Sequence, residues 1–74
     1  MKTERYKGRI IDARCWPLRV GGYSAWGMIR MPLGGEVILK SDVDGEFPVL
    51  GIFGSEDAAI KASVAEGQKI IDQK

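Results

Sequence analysis

Three glycine-bearing dipeptides, Gly21-Gly22, Gly34-Gly35 and Asp44-Gly45, separate runs rich in β-branched and aromatic residues. The last run leads into a helical repeat that continues to the C-terminus. Gly-Gly and Asp-Gly between apolar runs are hairpin signals, because tight hairpin turns need positive φ and glycine adopts it without steric penalty. The pattern constrains the chain to a small antiparallel sheet followed by one helix. The expected class is α+β: a three- to four-stranded antiparallel β-meander with one C-terminal α-helix packed on one face.

The first strand is expected from about Gly8 to Val20, and its alternation changes phase. Ile11 and Ala13 share one face, whereas Trp16, Leu18 and Val20 share the other. A one-residue β-bulge near Arg14-Cys15 brings both sets to the core side. The second strand runs from Tyr23 to about Met31, with Tyr23, Ala25, Gly27, Ile29 and Met31 as its core face. Pro32 ends it. A third strand is expected over Glu36 to Lys40 or Ser41, and a fourth over Glu46 to Phe53, unless that segment is an extended loop. Proline cannot donate to a β-ladder. A meander in the order 1-2-3-4 therefore suits Pro17 and Pro48, since it places the first and fourth strands at the edges. Residues 1–6 are expected as a flexible basic arm.

The helix is expected to start at Ser55, a good N-cap, with Glu56 and Asp57 in the first turn, where carboxylates favour the helix dipole. Ile60, Val64, Gly67 and Ile71 fall on one face, flanked by Ile70, while Ala58, Ala62, Ala65 and Lys69 point away. Gly67 weakens the helix by about 1 kcal/mol relative to alanine. Close packing of the helix backbone on the sheet is the reason to accept it.

Seventy-four residues make a single small domain, 1–74. A chain of this size buries only about 60% of its unfolded surface, which leaves no room for an enclosed site under a second layer. No apolar run approaches the roughly 18 residues of a membrane span, and the N-terminus lacks a signal-peptide pattern. The only cysteine, Cys15, cannot form an internal disulfide and reads as a small structural hydrophobe. The expected location is the cytoplasm, with no membrane partner. The net charge is only +1, but it is unevenly placed: the first twenty residues are basic and the remainder is acidic.

Catalytic readings fail on residue types. With no histidine, imidazole acid–base chemistry and histidine metal sites are excluded. Asp42, Asp44 and Glu46 begin like a calcium loop, but no bidentate acid follows at the needed spacing, so they read as turn residues. The glycine-rich pieces lack a phosphate-loop lysine. No catalytic residue, metal or cofactor is expected, and the chain is not expected to be an enzyme.

One helix covers one face of a sheet. The other face is expected to carry Asp12, Arg14, Trp26, Met28 and Arg30, with Val37 or Leu39 from the third strand. Trp, Met and Arg are enriched at interface cores. Arg14, Trp26, Met28 and Arg30 are therefore the candidate binding residues. The expected function is a small non-enzymatic binding module whose open face meets a protein partner or a second copy. The alternative is a nucleic-acid-binding domain, in which the same face acts with Lys2, Arg5, Lys7 and Arg9.

The spacing Tyr6-x-Gly8, Ala13-Arg14-x-Trp16-x-Leu18 and Tyr23-Ser24-Ala25 resembles that of a group of short, uncharacterised bacterial hypothetical proteins. Phe53-x-Ser55-x-Asp57-Ala58, Gly67 and Ile71-Asp72 extend the likeness. The resemblance implies a stand-alone bacterial cytoplasmic protein of strands followed by one helix. It brings no activity and no functional residue.

Overall fold

The computed structural model describes residues 2–32 and 41–73. Four strands, β1 (Lys2–Tyr6), β2 (Arg9–Pro17), β3 (Tyr23–Pro32) and β4 (Ser41–Phe53), are followed by α1 (Glu56–Asp72). All neighbouring strands are antiparallel and lie in the order β1-β2-β3-β4. This is the expected α+β meander with one helix on the sheet: β2, β3 and β4 cover the expected first, second and fourth strands, and β1 is an additional strand before them.

Residues 2–6, expected in a flexible arm, form β1. The tight turn after it uses Lys7 and Gly8, with φ of 48° and 78°, and joins Tyr6 to Arg9. Both turn residues are left-handed, as a two-residue type I′ hairpin requires. β2 ends at Pro17, and residues 18–22 form the loop. There Leu18 N–H donates to Gly22 O and Gly21 N–H donates to Leu18 O, each at 3.0 Å. Pro17 does not lie in an edge strand. Among the described residues, however, the β1–β2 register stops at Lys2↔Ala13, so Pro17 has no described strand on that side.

The Arg14-Cys15 bulge is absent. β2 and β3 pair without a slip from Ile10↔Arg30 to Pro17↔Tyr23. The irregularities fall between β3 and β4 instead. Asp44-Gly45, expected as a turn, lies within β4. Gly45 pairs with Ile29 and Val43 with Arg30, so Asp44 is the extra residue of a bulge. A bulge and a turn both need a local break in strand geometry, so their residue preferences overlap. Near the end of β4, residues 50–52 stand opposite Ser24 alone, with Gly51 at φ 111°. Pro48 lies in β4 at the sheet edge, as expected. The Gly34-Gly35 turn, the strand expected over 36–40, and Val37 and Leu39 lie outside the described residues.

Register places Ile11, Ala13, Ala25, Gly27, Ile29, Phe47 and Val49 on the face under α1. Ile11, Ile29 and Phe47 form the core, with Tyr6, Val49, Ile70 and Ile71 packed against it. Ser55 caps α1 by accepting from Ala58 N–H at 3.1 Å. The helix packs on the sheet through Gly67, Ile70 and Ile71 as expected, but its first half is rotated from the expected face. Ala59, Ser63 and Gly67 are buried, while Ile60 and Val64 sit half-buried on the flank. Small residues win the central positions because the backbones approach closely. A Cβ on Gly67 would lie 2.8 Å from Ile11 Cγ2, and one on Gly27 only 2.6 Å from Phe47 Cζ and 2.8 Å from Ser63 Oγ. The buried Ser63 hydroxyl donates to Trp26 O at 2.8 Å, which satisfies both groups.

Gly67→Ala gains about 1 kcal/mol of helix propensity but overpacks Ile11 at a cost of about 1–3 kcal/mol, so a net loss of stability of up to about 2 kcal/mol is expected in urea denaturation. Gly27→Ala, whose Cβ meets Phe47, Ser63 and the Asp12 carbonyl, is expected to lose more.

A second link holds the C-terminal end of α1. Tyr6 OH donates to both carboxylate oxygens of Asp72 at 3.0 Å, and Lys7 Nζ forms an ion pair with the same group. The hydrogen bond to Asp72 raises the Lys7 amine above its ordinary 10.5, and the hydrogen bonds from Lys7 and then Tyr6 lower Asp72 below its ordinary 3.8. The Asp72 contribution is therefore complete above 3.8 and lost as pH falls below it, while the Lys7 contribution is complete below 10.5 and lost as pH rises above it. The NMR shift of the Lys7 ε-methylene is expected to stay constant between these limits and to change beyond either one, and Asp72→Asn should abolish the acid transition.

Candidate functional site

The face opposite α1 is set by the unbroken β2–β3 register. Ile10, Asp12, Arg14 and Trp16 alternate onto it from β2, and Ser24, Trp26, Met28 and Arg30 from β3. The four expected binding residues, Arg14, Trp26, Met28 and Arg30, thus share one face. β4 adds Glu46 beside Met28 and Pro48 beside Trp26, and β1 adds Arg5 beside Ile10.

The face is less open than one helix on a sheet implies. Ile10, Asp12 and Met28 are 1%, 5% and 8% exposed. Met28 is therefore part of the floor. The reachable groups are the half-buried Arg14, Trp26 and Arg30 and, beyond them, Trp16 at 65% exposure. Trp16 was expected on the core side through the bulge. Without the bulge, plain alternation carries it to this face.

Asp12 organises the site. Its Oδ2 accepts from Arg14 Nη2 at 3.0 Å, two residues along the same strand face, and from Arg30 Nη2 at 3.4 Å across to β3. A buried carboxylate is costly unless paired and hydrogen-bonded, and two guanidiniums supply that pairing. Asp12 Oδ1 and Arg14 Nε are buried without a partner. The pairing aligns the Arg14 guanidinium over the Trp26 ring, 5.3 Å from its centroid. Shallow concavities flank Trp26. One of ≈ 170 Å³ is lined by Arg14, Cys15, Trp16 and Trp26, and the other of ≈ 350 Å³ by Trp26, Glu46, Phe47 and Pro48. Cys15 is a free, half-buried thiol paired with Ala25.

The basic set Lys2, Arg5, Lys7 and Arg9 is not brought together. Arg5 lies on the face with Arg14, whereas Lys2 and Arg9 alternate to the α1 side. Lys7 is in the turn with Asp72, and Arg9 donates to Met31 Sδ at 2.9 Å. Among the described residues, no group of acids and thiols has the arrangement of a metal site, and no helix is long and apolar enough to cross a membrane.

Two parts of the site escaped the sequence reading. Asp12 was placed on the face but not as the group that holds both arginines. The signal was its position two residues before Arg14 in an alternating strand. The second is an apolar end: Trp16, Val20, Leu50 and Ile52 are the exposed large hydrophobics among the described residues, and Ile52 lies against Gly22 of the β2–β3 loop. The chain matches none of the protein-family models, curated proteins or solved structures with which it was compared.

Asp12→Asn keeps the shape and removes the charge. Arg14 and Arg30 side chains are 34% and 29% exposed and can still reach water. The expected destabilisation is about 1–3 kcal/mol, at or below the lower end for a broken buried pair. Release of Arg14 from the indole is expected to shift Trp26 emission in a Trp16→Phe background.

Proposed function

We propose that the chain is a non-enzymatic binding module that holds a protein partner on the sheet face opposite α1. The observation that carries this reading is the Arg14 guanidinium stacked over Trp26 and tied down by Asp12, beside the exposed Trp16. Arg and Trp are the residue types that dominate interface energetics, and side chains ordered before binding lose less entropy when a partner arrives. Asp12 neutralises part of the charge of Arg14 and Arg30. The face therefore favours an aromatic and mixed-charge protein surface over a run of phosphates. The division of Lys2, Arg5, Lys7 and Arg9 between two sides of the sheet weighs the same way against nucleic acid.

The test is a partner recovered from the native source and titrated by NMR and calorimetry. Chemical-shift changes are expected to centre on Trp16, Trp26 and Arg14. Trp26→Ala and Arg14→Ala, each still folded by circular dichroism, should weaken binding by about 30-fold, as expected of a ~2 kcal/mol hot spot. Shifts centred on α1, or salt-dependent binding of DNA or RNA through this face, would overturn the reading.

A further inference from the structure

We propose that β1 pairs through its outer edge, which no described strand covers, with β1 of a second copy, antiparallel and centred on Thr3, so that two sheets join into one. This goes beyond the partner face and uses none of Arg14, Trp16, Trp26 and Arg30. The strand order leaves β1 at the edge of the sheet. In a two-residue type I′ hairpin the closing residues, here Tyr6 and Arg9, exchange backbone hydrogen bonds. Alternation then aims the backbone groups of Tyr6, Glu4 and Lys2 at β2, and those of Thr3 and Arg5 outward.

Outward groups must meet outward groups, so a pairing of two identical edges centres on one residue. Centring on Glu4 sets two carboxylates directly opposite, and centring on Arg5 or Lys2 sets two cations opposite. Centring on Thr3 pairs the two threonines and places Lys2 opposite Glu4 of the second copy, twice. Like charges directly opposite destabilise a sheet, whereas opposite charges and Thr–Thr pairs stabilise it. A short, charged edge ordinarily resists pairing. Here one register alone turns the same charges into complements, so the edge selects its own copy. There is room for these side chains on the helix side, where a groove of ≈ 220 Å³ separates Lys2 and Glu4 from Ile60 and Val64 on the flank of α1.

A five-residue edge buries less than the roughly 1,200 Å² of a standard interface, so the dimer is weak and concentration-dependent. Sedimentation equilibrium of the full chain over a wide concentration range is expected to show monomer and dimer. Glu4→Lys sets lysines opposite lysines and should weaken the dimer about tenfold or more. Adding Lys2→Glu to that variant restores complementarity and should restore the dimer. Thr3→Pro removes an outward N–H without touching the ladder to β2, so it should abolish dimerisation while the thermal melt of the monomer is unchanged. Trp26→Ala should leave the dimer intact, which separates this inference from the partner face. A chain that stays monomeric throughout overturns it. So does a dimer indifferent to Glu4→Lys or Thr3→Pro, or one that the double exchange fails to restore.

Discussion

The unbroken pairing of β2 with β3 is the constraint on which the rest of the structure depends. Side chains alternate across a strand, so one inserted residue would exchange every neighbour beyond it. The pairing runs from Ile10↔Arg30 to Pro17↔Tyr23 without such an insertion. It thereby sends Ile11, Ala13, Ala25, Gly27 and Ile29 under the helix and Asp12, Arg14, Trp16, Trp26 and Arg30 to the opposite side. The bulges that the chain does contain lie between β3 and β4. They bend the outer strand and leave the central register untouched.

Helix and sheet are joined by absence of bulk. Gly27 and Gly67 let the backbones approach until Ser63 reaches Trp26 O at 2.8 Å. The same residue, Trp26, presents its ring on the other side of the sheet beneath Arg14. The backbone at that point is held by the helix while the side chain is held by the Asp12–Arg14 pair. A binding surface gains from such double anchoring, since its central aromatic is ordered before a partner arrives. The two sets of charges differ in weight. Asp12 is buried and its pairing is needed to offset desolvation, whereas Lys7 and Asp72 are exposed and act as a local tether that salt weakens.

Much of this was legible in the chain. Ser55 with Glu56 and Asp57 marked the helix start, and alternation from Tyr23 to Met31 marked the buried side of β3. The membership of Arg14, Trp26, Met28 and Arg30 in one face followed from the same alternation. What misled was the assumption that apolar residues belong in the core. Trp16 and Val20 are apolar and exposed, so a bulge was invoked to bury what is not buried. The same assumption put Ile60 and Val64 at the centre of the helix face, which Ala59, Ser63 and Gly67 occupy. Lys7-Gly8 gives no hairpin signal of its own, and β1 none with it, because the segment before it is charged and carries no run of apolar alternation.

The sequence by itself determined the two central strands, the Gly21-Gly22 loop between them and the capped helix at the end. These are local properties, settled by neighbours within a few residues. Only the tertiary structure decided that Ala59, Ser63 and Gly27 join Gly67 at the helix–sheet contact, that Asp12 gathers arginines from two strands, and that β1 forms the edge. Each depends on distances between segments far apart in the chain, and periodicity carries no record of how closely two backbones approach.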